Sequence, residues 1–150
     1  MVGLRACGVF LGMMLLTAAP VAAQQPVPAG HVKIATGAAY IVRQNATVPA
    51  KPGDAVFATD TLRTQANGTI GVTLADDTRV SLGPDSEMRL ERYVFAPADG
   101  ALGMVLNFVR GVAAYVSGRM AKLSPDSVRL ETPAAIVGVR GTTVAIKVGS

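Results

Sequence analysis

Apolar residues in this chain recur at every second position, in short runs cut by clusters of turn-forming residues. Ile70, Val72 and Leu74 alternate with Thr69, Gly71 and Thr73; Val80 and Leu82 alternate with Arg79 and Ser81; Met88 and Leu90 alternate with Arg89 and Glu91. Successive side chains of a strand point to opposite faces, so this period sets one face of each run on a core and the other in water. Leu102, Met104, Leu106 and Phe108 form the longest set, and Val105 and Val109 between them predict burial on both faces of that strand. The punctuation is Lys51-Pro52-Gly53-Asp54, Ala66-Asn67-Gly68, Ala75-Asp76-Asp77, Gly83-Pro84-Asp85, Pro97-Ala98-Asp99-Gly100 and Ser124-Pro125-Asp126. Asn, Asp and Gly accept the positive φ that tight turns require. Asp54 to Val148 therefore divides into roughly eight to ten short strands, mostly antiparallel hairpins, the spacing of an all-β sandwich, barrel or β-coil. A helix over Gly111 to Lys122 is opposed by Gly111, Val112, Val116 and Gly118. With no fixed-period repeat, the expectation is one all-β domain over residues 31–150.

The segment ahead of the strands reads as an address. Arg5, the uncharged run from Ala6 to Ala19, Pro20 and the small residues Val21-Ala22-Ala23 make residues 1–23 a signal peptide, cleaved between Ala23 and Gln24. The run is shorter than the roughly 20 apolar residues that span a bilayer. Residues 24–30, rich in Gln and Pro, predict a flexible leader. The expected product is periplasmic or secreted from a bacterium, with no transmembrane segment after cleavage. Cys7 is the only cysteine and leaves with the signal, which removes disulfides, zinc knuckles and iron–sulfur clusters.

Little in the remaining chain is suited to covalent chemistry. His31 is the only histidine and lies beside the Pro-rich leader, so it reads as an exposed terminal residue. No nucleophile elbow, phosphate loop, dinucleotide fingerprint or paired-histidine zinc motif occurs. Asp76-Asp77 is the only adjacent acid pair and reads as a hairpin turn, since Ala75, Thr78 and Arg79 do not continue a calcium-loop pattern. Arg79, Arg89, Arg92, Arg110, Arg119, Lys122, Arg129 and Arg140 are scattered in a chain of net charge +4, which predicts solvated strand faces and no nucleic-acid stripe. Tryptophan is absent, so aromatic platforms for bases or sugars are scarce. No catalytic residue, metal ligand or cofactor is assigned.

Two segments, Gly53 to Leu90 and Val128 to Ile146, resemble the FecR-type domain, the periplasmic domain of ferric-dicitrate-type sigma regulators. The opening Gly53-Asp54, then Asp60 and Thr64, the central Asp76-Asp77-Thr78 hairpin, and the closing Thr132-Pro133, Ala135 and Val139-Arg140-Gly141-Thr142 carry the likeness. Asp77 stands where the family has a hairpin glycine, a replacement that aspartate tolerates. These positions read as structural: Gly53 and Gly141 suit tight or bulged backbone, and Asp54 and Asp60 can accept turn N–H bonds. Arg140 is expected to pair with a neighbouring acid, Asp54 or Asp60. The resemblance implies a β fold in the periplasm. The regulators also carry a cytoplasmic anti-sigma segment and a membrane helix, for which a signal peptide followed by the domain leaves no place. The expected function is a non-enzymatic binding or scaffold module, sensing or supporting an unknown envelope protein; the alternative is a polyanion- or glycan-binding envelope protein.

Overall fold

The computed structural model describes residues 3, 18–20, 26–138 and 143–149. In chain order the strands are β1 (Gly30–Thr36), β2 (Ala39–Arg43), β3 (Ala46–Pro49), β4 (Ala55–Val56), β5 (Thr61–Thr64), β6 (Thr69–Leu74), β7 (Arg79–Leu82), β8 (Glu87–Ala96), β9 (Ala101–Val116), β10 (Val128–Glu131), β11 (Ile136–Gly138) and β12 (Thr143–Val148). A single short helix, α1 (Arg119–Leu123), stands between β9 and β10. The fold is all-β. The nine strands from β4 to β12 lie in the stretch the turn clusters had divided.

Strands pair in the order β3-β2-β5-β8-β9-β7-β6-β1-β4, antiparallel throughout. The 16-residue β9 gives this sheet its curl. Its first part pairs with β8 on one side and, in parallel, with β10 on the other; its last residues pair with β7 and β12. Gly111 sits at the change of partner with φ +88°, where a Cβ would run into the side chain and backbone of Ser86. Ser86 Oγ accepts the N–H of Val112 at 2.9 Å, satisfying a donor beside the bend. The parallel β9–β10 neighbours require a crossover, which residues 117–127 supply through α1 and a 3-10 turn at Pro125–Ser127.

The curl folds the inward faces onto one core. Ile41, Leu62, Met88, Leu90, Met104, Leu106, Phe108 and Leu130 come from one half, and Val32, Ile70, Val72, Leu74, Val80, Leu82 and Tyr115 from the other, all buried. Full burial of such a side chain is worth about 1.5–3 kcal/mol. The alternation read from the sequence thus coincides with the buried face at Ile70, Val72, Leu74, Val80, Leu82, Met88 and Leu90.

Two expectations change and one is refined. Val109 is 40% exposed, so β9 is not buried on both faces; its outer side carries no second layer, and valine there serves strand propensity alone. The stretch from Gly111 runs as strand to Val116, in keeping with its poor helix formers, and helix is confined to Arg119–Leu123. Ordered pairing also reaches into the stretch read as leader: Ala29 N–H donates to Val56 O at 2.7 Å and Ala29 O accepts from Ala75 N–H at 2.8 Å. Gly30 opens β1 between β4 and β6, where an added Cβ would strike the β6 backbone. Among the described residues, no helix is long and apolar enough to cross a membrane.

Leu106→Asp, which puts an unpaired charge in the core, is expected to abolish the cooperative melt. Arg79→Ala, on an exposed face, should shift stability by less than about 0.5 kcal/mol. Gly111→Ala should cost about 3 kcal/mol in urea denaturation, because it meets both an unfavourable φ and a steric wall.

Candidate functional site

The polar residues that the sequence singled out gather at turns and strand ends, with Asp60, Thr64 and Asp76 buried. Asp60, 1% exposed, accepts from Arg43 Nε at 2.8 Å on one oxygen. Its other oxygen accepts from Arg43 Nη2 at 2.6 Å and the Phe57 N–H at 2.9 Å. The same Nη2 donates to Ala55 O at 3.1 Å, and the guanidinium lies 4.6 Å from the centre of the Phe57 ring. Hydrogen bonding to Asp60 raises the Arg43 pKa, with desolvation opposing it. One of the two acids expected to pair with Arg140 is thus held in a two-pronged contact by Arg43. Strand parity carries the signal: Ala39, Ile41 and Arg43 share one side of β2, which brings the half-exposed arginine to the rim of the core, over the buried carboxylate. Asp54, the other acid considered, accepts the Lys51 N–H at 2.9 Å and closes the turn that holds Gly53 at φ +93°.

Asp76 is a second fully buried carboxylate, at the β6–β7 hairpin. It accepts from Tyr93 OH at 2.9 Å, Thr78 Oγ1 at 2.7 Å and the Met120 N–H at 3.1 Å. Its own N–H donates back to Tyr93 OH at 2.9 Å, and its carbonyl accepts the Arg119 N–H at 2.7 Å. The hairpin, β8 and the start of α1 are tied to one side chain. Asp77 takes the left-handed conformation at φ +68° with its side chain outside, 3.4 Å from Arg119 Nε, so the turn forms without the glycine. Burial, then the charge of Asp76, raises the pKa of Tyr93. Burial, then the charge of Asp76, pushes Tyr115 up to about 12 against an opposing interaction with Thr78; its hydroxyl makes no well-formed hydrogen bond among the described residues.

Thr64 and Thr132 do similar work on a smaller scale. Thr64 Oγ1 donates to Gly83 O at 2.6 Å and accepts the Ser86 N–H at 3.0 Å, holding the β7–β8 turn against β5. Thr132 Oγ1 accepts the Ala135 N–H at 3.1 Å across the turn containing Pro133. Arg140, Gly141 and Thr142, and the cleavage site at Ala23 and Gln24, lie outside the described residues. Tyr93 was not legible beforehand: a bulge between Leu90 and Arg92 reverses the parity of β8, turning Tyr93 and Phe95 inward.

Outward-facing groups are what this arrangement leaves for a partner. Across β8, β9 and β10, Arg92 and Arg129 both pair with Val105, while Arg89 and Glu131 both pair with Asn107. Glu87 takes up Arg63 at 3.1 Å and Arg110 at 3.7 Å, and Glu131 stands 3.8 Å from Arg129. Arg89 and Arg92 have no ion pair among the described residues. On the other half, Ile34, Gly71, Ser81, Gly83, Val112 and Ala114 line a shallow groove of about 450 Å³. No group of three or more His, Cys, Asp or Glu able to hold a metal occurs among the described residues.

A family model described as FecR protein matches residues 60–150, and the chain belongs to that family. No curated protein and no solved structure matched it. The match opens at the buried Asp60 and takes in Thr64, Asp76, Asp77, Thr132 and Pro133; Gly53 and Asp54 precede it.

Tyr93→Phe removes a donor from a buried carboxylate and should lower stability by about 1.5–3 kcal/mol, whereas Tyr115→Phe should leave it unchanged or higher. Above pH 10 the unfolded chain releases a phenolic proton that folded Tyr115 keeps, so stability falls between about pH 10 and 12. Urea titrations of Tyr115→Phe should lack up to about 1.4 kcal/mol per pH unit of that fall. Arg43→Ala leaves Asp60 buried without its cation and should cost about 2–3 kcal/mol by the same assay, with Arg43→Lys recovering only part.

Proposed function

We propose that this FecR-family chain is a non-enzymatic binding or scaffold module of the bacterial periplasm, acting in envelope signalling. Membership of the family suggests a signalling or regulatory role in the envelope. The observation that carries the reading is the state of the two buried acids. Both oxygens of Asp60 and both of Asp76 are engaged by donors of the same chain, so the motif builds a rigid platform and leaves contact to the outer faces. The signal-peptide pattern at residues 1–23 supports the compartment.

A second reading, a polyanion- or glycan-binding envelope protein, is favoured by Arg89, Arg92 and Arg129 on one outer face.

Purified residues 24–150, immobilised and exposed to a solubilised cell envelope, should retain a specific envelope protein. Outer-face substitutions that leave the melting temperature unchanged should release it. A domain that retains nothing from its own envelope overturns the signalling reading. Mass spectrometry of the periplasmic fraction should find a chain beginning at Gln24; intact Met1 in the cytoplasmic fraction would remove the compartment.

A further inference from the structure

We propose that the outer face of β8–β10 docks on an anionic lipid surface, with Arg89, Arg92 and Arg129 contacting phosphate-bearing headgroups. The proposal rests on the polyanion reading and narrows it to one ligand class. Arg92 and Arg129 flank Val105 in one cross-strand row. Two strand spacings put their Cα atoms about 10 Å apart. Arg89 lies in the next row, opposite Asn107. The Arg92 guanidinium is seated on the sheet: it lies over Gly103, where a Cβ would come within 3.1 Å of Nε. A guanidinium held in this way presents a planar fork to phosphate and loses less freedom on contact.

Of the trio, Arg129 is ion-paired with Glu131, while Arg89 and Arg92 have no ion pair among the described residues. Glu91 accepts from Asn107 Nδ2 at 3.0 Å, Glu87 lies between Arg63 and Arg110, and Glu131 stands 3.8 Å from Arg129. Val105 lies half-buried between Arg92 and Arg129, Asn107 stands beside Arg89, and Val94 and Val109 are exposed beyond the two arginine rows. No aromatic ring faces outward on β8–β10 to stack on a sugar, which favours a lipid surface over a glycan chain. Guanidinium groups amid short aliphatic side chains match the level of a bilayer where headgroup meets acyl chain.

Vesicle co-sedimentation at low salt tests the idea, with phosphatidylcholine vesicles compared with an equal mixture of phosphatidylcholine and phosphatidylglycerol. The chain should partition onto the anionic vesicles only, and less as salt rises. Each basic residue near such a surface is worth about fivefold in partitioning, so the triple variant Arg89→Ala, Arg92→Ala, Arg129→Ala should lose on the order of a hundredfold. The charge-matched variant Lys33→Ala, Arg79→Ala, Lys147→Ala, on the other half, should keep most of its binding. Equal losses in the two variants would reduce the effect to net charge and overturn the site. Release by inorganic phosphate beyond a chloride control of equal ionic strength would assign the site to free phosphate and not to a lipid. Binding to polygalacturonate but not to vesicles would overturn the lipid proposal and leave the polyanion reading; binding to neither would remove both. Capture of an envelope protein tests the signalling reading separately.

Discussion

The fold depends on one strand serving two halves. β9 is long enough to exchange partners midway, from β8 and β10 to β7 and β12, and Gly111 supplies the backbone conformation that turns it between them. Without that turn the inward faces of the two halves would diverge, and Leu106, Phe108 and Tyr115, all on β9, would not meet the same core. The neighbouring constraint is hydrogen bonding. A bent strand exposes backbone donors that a straight ladder would satisfy, and Ser86 closes one of them through Val112.

The buried polar residues extend that logic to the turns. Asp60, Thr64, Asp76, Thr78 and Ser86 are all buried, and each joins segments distant in sequence. Asp76 accepts donors from β8 and α1 while sitting in the β6–β7 hairpin. A half-satisfied group in such a place costs more than an apolar one, which makes these turns intolerant of substitution. The family match covers the same stretch. The shared pattern is therefore a framework for holding turns, and it leaves the outer faces free to differ in the partners they meet.

Much of this framework was legible before any coordinates. The period-two runs from Ile70 to Leu90 fixed which face was buried, because alternation admits only two choices and the charged residues exclude one. Asp76-Asp77 announced a turn for the same local reason. The Arg43–Asp60 pair is within reach of strand parity, but a pairing across 17 residues has no local signature that singles out Arg43 as the partner. Tyr93 escaped entirely: a bulge adds a residue and inverts every position after it, and nothing in Glu91-Arg92-Tyr93 announces where that residue goes. Val109 misled because valine suits a strand whether or not it is covered.

The partner exchange along β9 also dictates an order of assembly. Residues 104–107 cannot gain their parallel neighbour until residues 128–131 have been made and the crossover has wrapped back. The last part of β9 waits longer, for a strand beginning at Thr143. Until both arrive, the longest strand of the molecule has an open side with unpaired amides and carbonyls. Non-local pairing of this kind folds slowly and exposes an aggregation-prone edge while it does so.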